Sequence, residues 1–129
     1  MLRPTHSRYV SCFLLCVFLS SLVAACERTQ QVSLTAEDFR FVPNLVRVTA
    51  SLPITLSLYN AGLEIHEFDS PLLLYAAKTA IAPPMSDSPG ILLPPGKSFQ
   101  IVMAPPPGTY LYICRRKGHA NMTGTLIVE

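Results

Sequence analysis

Gly108-Thr109-Tyr110-Leu111-Tyr112-Ile113-Cys114-Arg115-Arg116-Lys117-Gly118-His119-Ala120-Asn121-Met122-Thr123-Gly124-Thr125-Leu126-Ile127-Val128-Glu129 is the stretch around which the chain is organised. Thr109 to Ile113 alternates with a period of 2, Tyr110 and Tyr112 on one face and Leu111 and Ile113 on the other, which predicts a β-strand. That strand delivers Cys114 to the start of a short loop that also carries His119 and Met122. Thr125 to Val128 alternates again and takes the chain back as another strand. A thiol, an imidazole and a thioether therefore share one tight loop between two strands.

This donor set narrows the choice of metal. Thiolate and thioether are soft and suit copper, while imidazole suits copper, zinc, iron and nickel. Structural zinc sites rarely use Met and usually bring paired cysteines, which the loop lacks. Two His and one Cys with a weak, long axial Met make the blue-copper electron-transfer geometry. The loop supplies three of those four ligands, so a second His must come from elsewhere. Apart from His6 near the N-terminus, the other histidine is His66, in Leu63-Glu64-Ile65-His66-Glu67-Phe68. A lone Cys, His or Met in a strand-rich domain is more often packing or surface than ligand. The argument for a site is their joint placement.

Preceded by Pro107-Gly108-Thr109-Tyr110 and followed by Thr123-Gly124-Thr125-Leu126, the loop resembles the ligand loop of the cupredoxins, the family of azurin, plastocyanin, pseudoazurin and amicyanin. The resemblance covers roughly residues 32–129. The spacing Cys-x4-His-x2-Met matches none of those four members throughout: the Cys–His interval is like azurin's and the short His–Met interval like amicyanin's. Carried over by position, the resemblance implies His66, Cys114, His119 and Met122 as ligands of one copper ion cycling between Cu(I) and Cu(II). It implies a one-electron carrier between redox partners, not an enzyme. The alternative is a copper storage or delivery protein using the same four ligands.

Two departures from the family pattern lie beside the ligands. Asn commonly follows the first ligand His and a small hydroxyl residue follows the Cys; here Glu67 and Arg115 stand there. Groups behind the ligands orient them and tune the potential, so different tuning is expected, and an ion pair between Glu67 and Arg115 across the site is one arrangement the sequence allows. Glu64 and Glu67 beside His66 raise a carboxylate-ligated copper as a lesser alternative, which Met122 in the family's position opposes. A dinuclear purple copper site would need a second Cys in the loop. Arg115, Arg116 and Lys117 form either a docking patch for an acidic partner (a cytochrome, oxidase or reductase) or a solvated loop. His119, between Gly118 and Ala120, is expected to present its ring edge at the surface, framed by apolar residues, as the electron port. His66, beside Glu67 and Phe68, is expected to be more enclosed.

The N-terminal part reads differently. Arg3 and Arg8 precede a weakly polar to apolar run from Val10 to Ala25, the pattern of a secretory signal peptide over residues 1–25. Val23-Ala24-Ala25-Cys26 resembles a bacterial lipobox, whose Cys is diacylated and becomes the new N-terminus. An ordinary cleavage site and an uncleaved anchor of marginal length are the alternatives. The expected product is a periplasmic or cell-envelope lipoprotein anchored through Cys26, each buried CH2 of the lipid adding about 0.8 kcal/mol. Residues 26–31 then form a tether and residues 32–129 the domain.

Of the four cysteines, Cys12 and Cys16 fall in the signal and Cys26 takes lipid. Cys114 is left with no disulfide partner in an oxidising compartment, a liability that a bound metal removes. Arg3 and Arg8 account for the formal charge of +2, so basic and acidic side chains balance from Cys26 onward. That argues against nucleic acid as a partner. A chain of 129 residues is one domain's worth, and it is expected to be monomeric.

Outward from the loop, Val32–Ala36, Leu45–Thr49 and Ile54–Tyr59 alternate as strands, the last with Ile54, Leu56 and Leu58 on the core face. Phe39 and Phe41 are expected to share an apolar face. Glu64–Phe68 carries His66 at a strand edge or in a loop. Leu72–Ala82 is expected to be a short helical flap, stopped by Pro83-Pro84. Ile91–Leu93 and Lys97–Met103 follow, the latter with Phe99, Ile101 and Met103 on one face. Seven or eight short strands between Gly/Pro turns predict an all-β Greek-key sandwich.

Overall fold

The alternating runs become nine strands among the residues described by a computed structural model, 28–77 and 90–129. They are β1 (Gln30–Glu37), β2 (Arg40–Val42), β3 (Leu45–Val48), β4 (Ile54–Asn60), β5 (His66–Phe68), β6 (Ile91–Leu93), β7 (Ser98–Met103), β8 (Gly108–Ile113) and β9 (Thr123–Val128). The number exceeds the expected seven or eight because β2, β5 and β6 are strands of only 3 residues. The expected signal peptide, Cys26 and the distal part of the expected flap lie outside the described residues. No helix among the described residues is long and apolar enough to cross a membrane.

One sheet has the order β2-β1-β4-β7 and another the order β3-β9-β8, with β5 and β6 as a separate antiparallel pair. Asp69 and Ile113 exchange backbone hydrogen bonds of 3.0 and 2.9 Å, joining the end of β5 to β8. The strand that carries His66 is thereby fixed beside the strand that leads to Cys114. β1 runs parallel to β4 and β3 parallel to β9. Parallel neighbours need crossover connections, and here the chain makes them by passing between the two layers of an all-β Greek-key sandwich.

Period-2 alternation aims one face of each strand inward. Val32, Leu34 and Ala36 of β1, Ile54, Leu56 and Leu58 of β4, and Ile101 and Met103 of β7 are buried, as are Val48, Leu126 and Val128 of the other sheet. Burying each Leu or Ile fully stabilises the fold by about 1.5–3 kcal/mol relative to exposure. On β8 the tyrosine face is the inner one: Tyr110 and Tyr112 are buried while Leu111 is 59% exposed.

Tyr112 sits where the layers meet. Its ring stacks on Phe68 at 5.7 Å and takes the edge of Phe41 at 5.3 Å, and its hydroxyl donates to the Pro43 carbonyl at 2.8 Å. Gly124 faces it in the β8–β9 register, where a Cβ would overlap the tyrosine ring.

Burial pushes the Tyr112 phenol up to about 12, and Tyr110 is raised as well, by burial first and then by Tyr75. The unfolded chain releases the Tyr112 proton near its ordinary 10.0 while the folded chain keeps it. Stability is therefore present below pH 10 and lost as pH rises from about 10 to 12, by on the order of 2–3 kcal/mol. Denaturant melts across that range should show a steeper decline for the natural protein than for Tyr112→Phe; equal slopes would contradict it.

Two expectations are corrected. Phe39 does not share the inner face with Phe41: it lies in the Asp38–Phe39 turn between β1 and β2, at φ 68°, and is 58% exposed. The hairpin register pairs Glu37 with Arg40 and leaves only Asp38 and Phe39 to reverse the chain, so turn geometry overrides apolar alternation. The helical flap is present as a 3-10 helix over Pro71–Tyr75, and it ends before Ala76 rather than continuing through Ala76 and Ala77. Ser70 caps it through its side-chain oxygen, which accepts from the Leu72 N–H at 3.3 Å. Beyond it, Ala76 bridges to Met103 and the Ala77 N–H donates to the Val102 carbonyl at 2.7 Å. Pairing with the edge of β7 thus replaces the next helical turn.

Candidate metal centre

His66 opens β5 and is fully buried. The loop leading to it is shaped by Asn60 at the end of β4, itself fully buried. Its amide donates to the carbonyls of Glu64 at 2.8 Å and Leu93 at 2.6 Å, and its Oδ1 accepts from the Gly62 N–H at 2.8 Å. Such a polar group is tolerated in the interior because its bonds are made.

The other loop closes on itself. The Cys114 N–H donates to the Met122 carbonyl at 3.0 Å, the Met122 N–H to the His119 carbonyl at 2.9 Å, and the His119 N–H to the Arg116 carbonyl at 3.0 Å. Gly118, at φ 89°, makes the reversal without steric cost. Cys114, His119 and Met122 are all buried.

These two loops bring His66, Cys114 and His119 together, with one donor atom from each lying within 4.8 Å of the others. Nδ1 of His66 stands 3.2 Å from Nδ1 of His119, which stands 3.5 Å from Cys114 Sγ. Metal–sulfur and metal–nitrogen bonds of about 2.0–2.3 Å let one ion span such a group. The donors are soft-to-borderline, buried and convergent, so they fit copper. They are positioned as a single copper site. Met122 lies at the loop's end, fully buried.

The Glu67 N–H donates to Cys114 Sγ at 3.4 Å, placing Glu67 beside the thiol through its backbone. Its side chain does not pair with Arg115. Arg115 pairs instead with Asp69, held next to it by the Asp69–Ile113 bridge. The Glu67 carboxyl runs along Gly90, and its Oε1 has no hydrogen-bond partner among the described residues. No carboxylate joins the His66–Cys114–His119 group among the described residues, so the carboxylate-ligated alternative through Glu64 or Glu67 finds no support. Arg116 and Lys117 are exposed, and Arg115 is partly engaged by its ion pair.

The β1–β2 turn contributes two residues that local sequence patterns did not reveal. Asp38 Oδ1 lies 3.3 Å from His66 Nε2 and also accepts from the N–H groups of Leu63 at 3.0 Å and Glu64 at 3.3 Å. Phe39 meets the His119 ring edge-on at 5.2 Å. His119 is 7% exposed against 0% for His66, the expected order. The ring edge expected at the surface is not open, because His119 is buried, and Phe39 reaches across from the other sheet to lie against it.

Burial lowers the His66 pKa from its ordinary value, against the upward pull of Asp38, so the imidazole is neutral and able to ligate at pH 7. Burial raises the Asp38 carboxyl, but the Glu64 and Leu63 amides and His66 outweigh it and leave it lowered.

Solved structures with the same architecture include auracyanin B, 25% identical with a TM-score of 0.56 over 78% of this chain and 88% of that one. A dithionite-reduced auracyanin from Roseiflexus castenholzii is 20% identical, with a TM-score of 0.58 over 78% and 97% of the two chains. Auracyanin A of Chloroflexus aurantiacus, described as a "blue" copper protein, is 22% identical, with a TM-score of 0.55 over 79% and 100%. No curated protein sequence matches significantly. The family model of the cupredoxin-like domain matches residues 10–128. With that match spanning nearly the whole chain, and with buried His and Cys side chains converging as a copper site requires, the protein belongs to the cupredoxin-like domain family.

Proposed function

We propose that this chain is a mononuclear blue-copper protein that carries one electron between redox partners. His66 and His119 through Nδ1, and Cys114 through Sγ, would hold the copper most strongly, and Met122 would be the weaker fourth ligand. The observation that carries this reading is the convergence of the three donor atoms, with the Glu67 N–H directed at the thiol. Copper held there supplies a Cu(I)/Cu(II) couple. The auracyanin of R. castenholzii was taken to a reduced state with dithionite, which supports the same chemistry here.

The chain's own part is to hold, enclose and connect. The reciprocal Asp69–Ile113 bridge fixes the two ligand-bearing segments to each other, which limits movement between the two oxidation states. Burial of all four side chains excludes water. His119, the more exposed imidazole, is the electron port, with the exposed Phe39 ring against it as apolar surface for a partner. Cys26, by the lipobox reading, ties the domain to a membrane on the outer side of the export step.

Arg116 and Lys117 are exposed beside His119 and steer an acidic partner toward it. Transfer to an acidic redox protein should slow as salt rises toward 0.15 M, where exposed charges more than about 8 Å apart are largely screened from each other. Arg116→Glu with Lys117→Glu should flatten that dependence and lower the rate at low salt about tenfold or more. An unchanged rate and salt profile would reduce the patch to solvated loop.

A further inference from the structure

The Asp38–His66 pair carries a role beyond ligand assignment. A carboxylate only accepts hydrogen bonds, so the imidazole nitrogen facing it carries the hydrogen. With the hydrogen on Nε2, the lone pair of His66 is on Nδ1, the atom that faces His119 Nδ1 at 3.2 Å. The contact is a built one. Asp38 Oδ1 also accepts from Leu63 and Glu64, tying the turn to the loop that leads into His66. Gly62 closes over the pair: a Cβ there would strike the Asp38 carboxyl and come within 2.9 Å of His66 Nε2.

We propose that Asp38 is a positioning residue of the metal site, fixing the tautomer of His66 through Nε2 and placing a negative charge behind it that favours Cu(II) over Cu(I). This rests on the copper reading above. Carboxylates behind metal-bound imidazoles raise ligand basicity, and their removal typically costs about 10–100-fold in metal affinity. The Asp38 side chain is 34% exposed, so solvent screens part of its charge and the lower end of that range applies. A tenfold loss of preference for Cu(II) over Cu(I) corresponds to a rise of about 59 mV in a one-electron potential.

Asp38→Asn separates charge from most of the geometry: Leu63, Glu64 and His66 all contact Oδ1, whose place an amide oxygen can take, and only the second bond of the Leu63 N–H, to Oδ2 at 3.2 Å, is lost. Two measurements on the full chain test the proposal. In the metal-free protein at pH 8, nitrogen NMR should show His66 as one tautomer with hydrogen on Nε2, and Asp38→Ala and Gly62→Ala should give a mixture. In the copper-loaded protein, Asp38→Asn should raise the midpoint potential by about 59 mV while keeping the visible spectrum. A mixed tautomer in the natural protein, or an unmoved potential in Asp38→Asn, overturns the proposal. Failure of the natural protein to bind copper would instead overturn the copper reading, and the metal-free NMR would still report on the pair.

Discussion

Cys114→Ser is expected to abolish the sulfur-to-copper absorption band and to weaken copper binding by more than the roughly 10–100-fold that losing an outer partner costs. The reason is the donor atom. Sγ is the thiolate donor beside the two imidazoles, 3.5 Å from His119 Nδ1 and receiving the Glu67 N–H at 3.4 Å. A hydroxyl there is harder and does not ionise near neutrality. The fold should survive, because Cys114 holds the loop through its backbone N–H to Met122, which serine keeps. Absorption spectra and copper content of the variant, with a denaturant melt of its metal-free form, check both halves. Persistent colour would remove Cys114 from the site.

Tyr112→Ala is expected to cost about 3–5 kcal/mol, the range for emptying a large aromatic from a core. Tyr112 is fully buried against Phe68 and Phe41, opposite a glycine that cannot fill the space. Its hydroxyl bond to Pro43 is lost as well. The damage lies under the proposed metal centre: Phe68 is two residues after His66 and Tyr112 two before Cys114, so the cavity opens between the strands that carry the candidate ligands. Copper affinity should fall along with stability. Leu111→Ala, on the same strand but 59% exposed, should stay within about 0.5 kcal/mol. A Tyr112→Ala loss as small as that control would contradict this account of the core.

The strands and the candidate metal-site residues were legible in the sequence for different reasons. Alternation at Tyr110, Tyr112, Ile54, Leu56 and Leu58 is a local property, and burial followed it. The ligand loop was legible because thiol, imidazole and thioether in one short segment suit few metals, and His66 because few histidines remained. What was not legible depends on contacts between distant residues. Asp38 meets His66 and Asp69 meets Arg115 only once the hairpin and the β5–β8 junction have formed. Phe39 followed the alternation of its neighbours on paper, but the two-residue turn took it out of the strand and onto His119. The helix expected from Leu72 stops at Tyr75 because Ala76 and Ala77 reach the backbone edge of β7 instead.

The central claim, a buried copper site that moves one electron at a time, is tested most directly by a spectroelectrochemical titration of the copper-loaded protein. The expected result is one copper per chain and an intense visible band that bleaches with one electron per copper and returns fully on reoxidation, with the copper still bound. A chain that takes up no copper, or that loses its metal to a chelator on reduction before the band can be restored, would contradict the account.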